Sequence, residues 1–195
     1  MVVAVPPLPP VDTERLRLRF AEPGDAGALA ALMSDSVSRR LASWPVPYTP
    51  LMALDRIAGV RMAAAERRSM PLVVERRADG AVIGWISISR APGDHATALI
   101  TYWLGEDYQG HGYMREAAPA AVRKAFNLMD VLRLRAAVQA DNAPSLAVAR
   151  LLGMAPMGTR CGRCPSAPCR AAAPRRGTAR CPPAPRRAAA AHPSG

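Results

Sequence analysis

The run at residues 99–117, which includes Tyr102-Trp103-Leu104-Gly105 and Gln109-Gly110-His111-Gly112-Tyr113-Met114, leaves the chain few ways to fold. Its first part is β-branched and aromatic, centred on Ile100, Tyr102 and Trp103, and reads as a strand that stops at Gly105. Its last part, from Arg115 and Glu116 through the alanines to Leu128, is good helix material. Between them Gly110 and Gly112 let the backbone turn tightly and let a ligand approach bare N–H groups. The loop amides then become the orphan donors of a helix N-terminus, an anion site suited to a pyrophosphate. A Gly-x-Gly turn can equally be no more than a tight strand-to-helix connection. Two nucleotide fingerprints fail on spacing: a dinucleotide motif needs a small residue where Arg115 stands, and a P-loop needs a lysine where Tyr113 stands.

The rest of the chain supplies a sheet to carry this run. After a proline-rich leader, 1–12, residues 13–20 alternate Leu16, Leu18 and Phe20 against arginines, as a half-buried strand does. Glu22-Pro23-Gly24-Asp25 opens a helix with Ala28, Leu29, Leu32 and Met33 at helical spacing, and 34–48 is irregular. Thr49-Pro50 caps a helix that runs to about Arg68. Strands at 70–76 and 81–90 flank an Asp79-Gly80 hairpin turn, and a third, 95–104, delivers the chain to the glycines. Helix 112–130 leads to a strand at 131–139, which runs parallel to the loop-bearing strand if the helix is a crossover. The expected class is α/β (α+β), a mixed and mostly antiparallel central sheet flanked by helices.

At 195 residues the chain is sized for one domain, and its net charge of +11 misleads. Every acidic residue precedes Thr159, whereas residues 159–195 hold eight arginines, so the body of the chain is close to balance. The mild positive excess that remains, 18 basic residues against 15 acidic, suits a polyanionic ligand and is no signal for specific nucleic-acid binding. No apolar run reaches membrane-spanning length, and the opening residues lack the basic region of a signal peptide, so the expected location is cytoplasmic with no membrane partner. All four cysteines fall beyond residue 158, and residues 13–158 contain no metal motif.

The glycine stretch resembles the coenzyme A loop of the GNAT N-acetyltransferase superfamily, whose pattern is Gln/Arg-x-x-Gly-x-Gly/Ala. Here Met114 stands in the last place. Further matches are similar to the branch that acetylates the N-termini of ribosomal proteins: Thr13-Glu14-Arg15-Leu16-x-Leu18-Arg19, Tyr102-Trp103-Leu104, Gly112-Tyr113-Met114-x-Glu116-Ala117, and Asn142-Ala143-Pro144-Ser145 with Leu152-Gly153-Met154. The resemblance covers 13–158. It implies the acyl-CoA N-acyltransferase fold, acetyl-CoA as co-substrate, an amine acceptor (a protein N-terminus or a small molecule), and direct transfer in a ternary complex.

Site residues carry over position by position. In the resembling fold two strands splay apart and the pantetheine arm pairs with strand backbone, here Trp103, Leu104 and Gly105, while Gln109, Gly110, His111, Gly112, Tyr113 and Met114 surround the pyrophosphate. His111 is either a phosphate contact or a solvent-facing spacer. The N–H of Leu104 or Gly105 would meet the oxyanion, Asn142 would bond the pantetheine, and Ser145 would protonate the departing thiolate. Asn142 also reads as a helix cap, and both roles can hold at once. The segment between the first two helices lines the acceptor groove in that family, making Trp44 and Tyr48 candidate walls, with packing on the sheet as the alternative.

The general base is less evident. Many family members carry a carboxylate in a Glu-Ile-Gly-Tyr run, where this chain has Leu99-Ile100-Thr101-Tyr102. Glu106 and Asp107 are the nearest acids, either a base or solvated loop charges. An α-amino group with pKa near ~8 is partly neutral at pH 7, whereas a lysine near ~10.4 costs about 4.6 kcal/mol to deprotonate there. The missing carboxylate therefore leans toward N-terminal or weakly basic amines, or toward a catalytically impaired acyl-CoA-binding module.

Residues 159–195 contain no Val, Ile, Leu, Met, Phe, Trp or Tyr. A family member would continue there into a last hairpin, which Ala, Pro, Arg, Gly and Cys cannot build, so the fold is expected to lack it and the tail to be disordered. The abrupt change has the composition of a GC-rich gene read in another frame. Cys161-x-x-Cys164 with Cys169 and Cys181 is an irregular zinc pattern, and the arginines favour only non-specific adhesion to polyanions.

Overall fold

Residues 9–158 are described by a computed structural model, and the 99–117 run forms its axis: a long strand, a glycine turn and a helix. Six strands lie side by side in chain order: β1 (Val11–Asp12), β2 (Leu16–Phe20), β3 (Ser69–Arg76), β4 (Val82–Ala91), β5 (Asp94–Leu104) and β6 (Arg133–Ala136). All neighbours are antiparallel except β5 and β6. That parallel step follows from the crossover through α4 (Tyr113–Met129), which returns the chain to the same end of the sheet. The expectations for the leader at 1–8 and for the tail, including the missing hairpin, lie outside the described residues.

The alternation of β5 sorts its side chains onto two faces. Ile100 and Leu104 join Leu18, Leu72, Ile86 and Ile88 in a core covered by α4. Ala117, Ala118, Ala121 and Ala125 are all buried there, and their small side chains let α4 lie close to the sheet. Next to α4 packs α5 (Ala143–Leu151), anchored in the same core by buried Val148. On the other face Trp85 and Trp103 stand opposite each other on β4 and β5, and Trp44 meets both edge-on, with ring centroids 5.7 and 5.0 Å away. Three helices cover this side: α1 (Ala26–Leu32), α2 (Asp35–Ser38) and α3 (Pro50–Ala65). Thr49 caps α3 with its hydroxyl and Pro50 occupies its first position, as the sequence pattern requires.

Two strands depart from their sequence pattern. The alternating run 13–20 is not one strand: the chain reverses at 13–15, where the Thr13 N–H donates to the Leu16 carbonyl at 2.8 Å, so that Val11–Asp12 leaves the leader and pairs with Leu18 and Arg17. The 131–139 strand is also shorter than its apolar pattern. Only Arg133–Ala136 pairs, against Thr97 through Ile100, and the ladder stops there. Beyond Ile100, β5 runs on for four residues to Leu104 without β6 beside it. Among the described residues, no helix is long and apolar enough to cross a membrane.

Close packing of β4 on β5 can be tested at one glycine. A Cβ on Gly84 would collide with the Trp103 carbonyl oxygen and lie 2.6 Å from Leu104 Cδ2, whereas a Cβ on Gly59 in α3 meets nothing within 4 Å. Gly84→Ala should lower stability by about 1–3 kcal/mol, and Gly59→Ala should raise it by about 0.5–1 kcal/mol, in urea or thermal melts.

Candidate active site

The site begins where β5 outlasts its parallel neighbour. Along an antiparallel pair, alternate residues turn their N–H and C=O groups toward and away from the partner strand. The Gly105 N–H donates to the Ile83 carbonyl at 3.1 Å, so Gly105, Trp103 and Thr101 face β4. Tyr102 and Leu104 therefore turn their backbone groups toward the β6 side, beyond the end of the ladder. Of the two oxyanion candidates, Gly105 already has its N–H bonded within the sheet, which leaves Leu104. The Leu104 carbonyl accepts the Gln109 side-chain amide at 3.0 Å, and the Gln109 N–H donates to the Glu106 carbonyl. Gln109 thus shapes the turn from inside.

Past a short 3-10 turn at Glu106–Tyr108, Gly110 and Gly112 take φ of 80° and 79°, a left-handed conformation that other residues adopt only with strain. Gly112 is the N-cap residue of α4 and offers no side chain, so the first turn's N–H groups have no side-chain cap. Met114 points into the core, so what it can offer a ligand is its backbone. His111 is exposed, its ring 5.7 Å from that of Tyr113.

Across the gap stands the start of α5. Asn142 Oδ1 accepts the Ser145 N–H at 3.2 Å, which is the helix-cap reading of this motif. The Ser145 carbonyl accepts the Tyr102 hydroxyl at 3.2 Å, so a β5 side chain spans the gap as a strut. Burial pushes the Tyr102 phenol above its ordinary pKa, only partly offset by the nearby Ser145 side chain, so the hydroxyl keeps the proton it donates. The sequence shows Tyr102 in a motif but not this role, because its partner lies 43 residues further on.

The segment around α2 is tied to both lips of the gap. On the β5 side the Ser34 and Ser36 hydroxyls donate to the Glu106 carboxylate. On the β6 side Arg40 reaches Gln139 Oε1 at 3.0 Å and Asp141 Oδ2 at 2.8 Å, and the Gln139 amide donates to the Arg39 carbonyl at 3.1 Å. Ser36, Arg39, Arg40, Gln139 and Asp141 line an open cleft of about 420 Å³. The Ser34 and Ser36 bonds lower the Glu106 pKa, making it a weaker base than an ordinary carboxylate. Leu99, at the position of the family's carboxylate, is 40% exposed and apolar.

Trp44 and Tyr48 are buried, at 3% and 8% exposure, in the aromatic core under α1 and α3. Packing, the alternative reading of these two residues, describes Trp44: its ring is covered by Tyr48, Trp85 and Trp103, and the Arg56 guanidinium lies 4.2 Å over it. Tyr48 keeps one edge on a shallow cleft beside α3, with Pro45, Met52 and Arg56.

A strand overrunning its parallel neighbour, followed by a glycine turn and an uncapped helix start, defines the acyl-CoA N-acyltransferase class. The chain belongs to the acetyltransferase (GNAT) domain family, whose model matches residues 15–155, and it is accordingly an acyl-CoA-dependent N-acetyltransferase. It is 30% identical over 144 residues to YnaD of Bacillus subtilis, an uncharacterized N-acetyltransferase, covering 74% of this chain and 81% of that one. Among solved structures it is similar to a GNAT-family acetyltransferase from Bacillus anthracis (25% identity, TM-score 0.63, 76% of this chain and 85% of that one). It also shares its fold with the ribosomal-protein-S5-alanine acetyltransferase of Vibrio fischeri (21% identity, TM-score 0.69, 76% and 84%).

The strut is testable by removing one hydroxyl. Tyr102→Phe should cost about 1 kcal/mol in a urea melt.

Proposed function

We propose that this chain, through a catalytic unit at 13–158, transfers the acetyl group of acetyl-CoA directly to the α-amino group of a protein N-terminus in the cytoplasm. The observation that carries the reading is the parting of β5 and β6 at Ile100 and Ala136, with the glycine turn at one end of the gap and Ser145 across it. The pantetheine would lie along the backbone groups that Tyr102 and Leu104 turn away from β4. The loop and first α4 turn would take the pyrophosphate on Gly110, Gly112, Tyr113 and Met114 backbone donors. The Leu104 N–H would stabilise the oxyanion, and Ser145, whose Oγ sits on the helix start fixed by Asn142 and Tyr102, would return a proton to the thiolate.

The choice of acceptor rests on basicity. With Leu99 where a carboxylate would stand and Glu106 made less basic by two serines, no strong base is at hand. An amine that is already partly neutral fits this site better than lysine does. The ribosomal-protein acetyltransferases among the structural neighbours support the same acceptor class. Leu99 also favours a second reading, an acyl-CoA-binding module with impaired turnover.

Acetyl-CoA at a hundredfold excess over Kd should stabilise the chain by about 2.7 kcal/mol, seen as a raised Tm. Ser145→Ala should retain that shift and lose turnover; retained turnover removes Ser145 from the chemistry. With a peptide N-terminus as acceptor, kcat/KM should rise with pH through the amine's own pKa near ~8. No limb should come from Glu106, whose lowered pKa keeps it ionised throughout that range, and Glu106→Gln should leave the profile's shape unchanged. A Tm shift without turnover on any amine would establish the binding module instead.

A further inference from the structure

Two sequence motifs about a hundred residues apart meet beside the glycine turn. The Glu116 carboxylate, in the first turns of α4, accepts the Thr13 hydroxyl at 2.6 Å, the Arg15 N–H at 2.8 Å and Arg15 Nε at 2.8 Å. Burial alone would raise the Glu116 pKa, but these donors outweigh it and hold the carboxyl below its usual range. The same guanidinium does more than pair. Arg15 Nη1 donates to the His111 carbonyl at 3.1 Å, its carbon lies 4.8 Å over the Tyr113 ring, and Nη2 sits 3.6 Å from where a Cβ on Gly112 would be. Arg15 therefore contacts the turn at His111 and Tyr113 and runs beside Gly112 between them, from a strand connection that supplies no residue to the turn itself.

The consequence follows from peptide geometry. A trans peptide points its C=O and N–H in opposite directions, so a bond that holds the His111 carbonyl also fixes where the Gly112 N–H points. With φ of 79° and no side chain, Gly112 has no steric reason of its own to prefer that orientation. An outside contact must choose it. We propose that Arg15, itself oriented by Glu116, is a positioning residue for the acyl-CoA site: by holding the His111 carbonyl it turns the Gly112 N–H, and with it the first turn of α4, toward the ligand's diphosphate. The inference rests on the reading of the glycine turn as the diphosphate cradle.

The test uses the full chain and two acetyl donors, acetyl-CoA and S-acetylpantetheine, the second lacking the diphosphate. Arg15→Ala should raise KM for acetyl-CoA about tenfold with kcat little changed, and should leave kcat/KM for S-acetylpantetheine at the parent value. Glu116→Gln, which keeps the shape and removes the charge, should move KM in the same direction by less. Arg17→Ala, which breaks the Arg17–Asp12 pair at 2.8 Å between β1 and β2, should leave both donors unaffected. If Arg15→Ala does not fold, Arg15→Lys carries the same expectation, because one ammonium cannot reproduce the guanidinium's bonds to both Glu116 and His111. Equal losses with both donors, or an unchanged KM for acetyl-CoA, would overturn the proposal. A parent chain that shows no binding of coenzyme A by calorimetry would instead overturn the cradle reading on which it stands.

Discussion

Everything at this site depends on a ladder of hydrogen bonds that stops early. Parallel pairing joins β5 to β6 only from Thr97 to Ile100, and the unpaired end of β5 turns the Tyr102 backbone groups and the Leu104 N–H toward the gap, the Leu104 carbonyl being taken by Gln109. Unpaired backbone groups in a sheet interior are costly unless something meets them, and here they sit beside a helix start whose N–H groups are uncapped. The two sets of free groups make one continuous strip, acceptors and donors along the strand, then donors at the turn. A linear ligand with an amide-bearing arm and an anionic end matches that strip in both chemistry and order.

The gap is held open from three sides, each by a different physical means. On one face of the sheet, Trp44 meets Trp85 and Trp103 edge-on in an aromatic core against β4 and β5. Across the gap, the Tyr102 hydroxyl fixes the distance to Ser145. Over its mouth, the segment from Ser34 to Arg40 bonds to Glu106 on one lip and to Gln139 and Asp141 on the other. The last two are largely exposed contacts, Asp141 being 74% accessible, and each such pair contributes little to stability.

Much of the architecture was legible in the sequence. The apolar, β-branched and aromatic runs of β3, β4 and β5, the Asp79-Gly80 turn, the Thr49-Pro50 start of α3 and the Asn142 cap of α5 are all local signals, because each depends on residues within a few positions of one another. The misreadings were of a different kind. Residues 13–15 keep the period of a strand but reverse, since Thr13 and Arg15 bond to Glu116, and 131–139 keeps its apolar character but pairs over only Arg133–Ala136. Trp44 could be read as a groove wall until three tryptophans from separate segments were seen to share one core.

The sequence by itself determined that the chain turns tightly and without side chains between β5 and α4, because glycines stand at 110 and 112, where φ is positive. It also determined that no carboxylate would stand at position 99. Only the tertiary structure decided which backbone donor faces the gap, since the Gly105 N–H is taken by Ile83, a partner selected by strand register. It alone decided how weak a base Glu106 is and what orients the turn, because Ser34, Ser36 and Arg15 reach their partners across 70 to 101 residues of chain. Periodicity carries the first kind of fact and long-range hydrogen bonding the second.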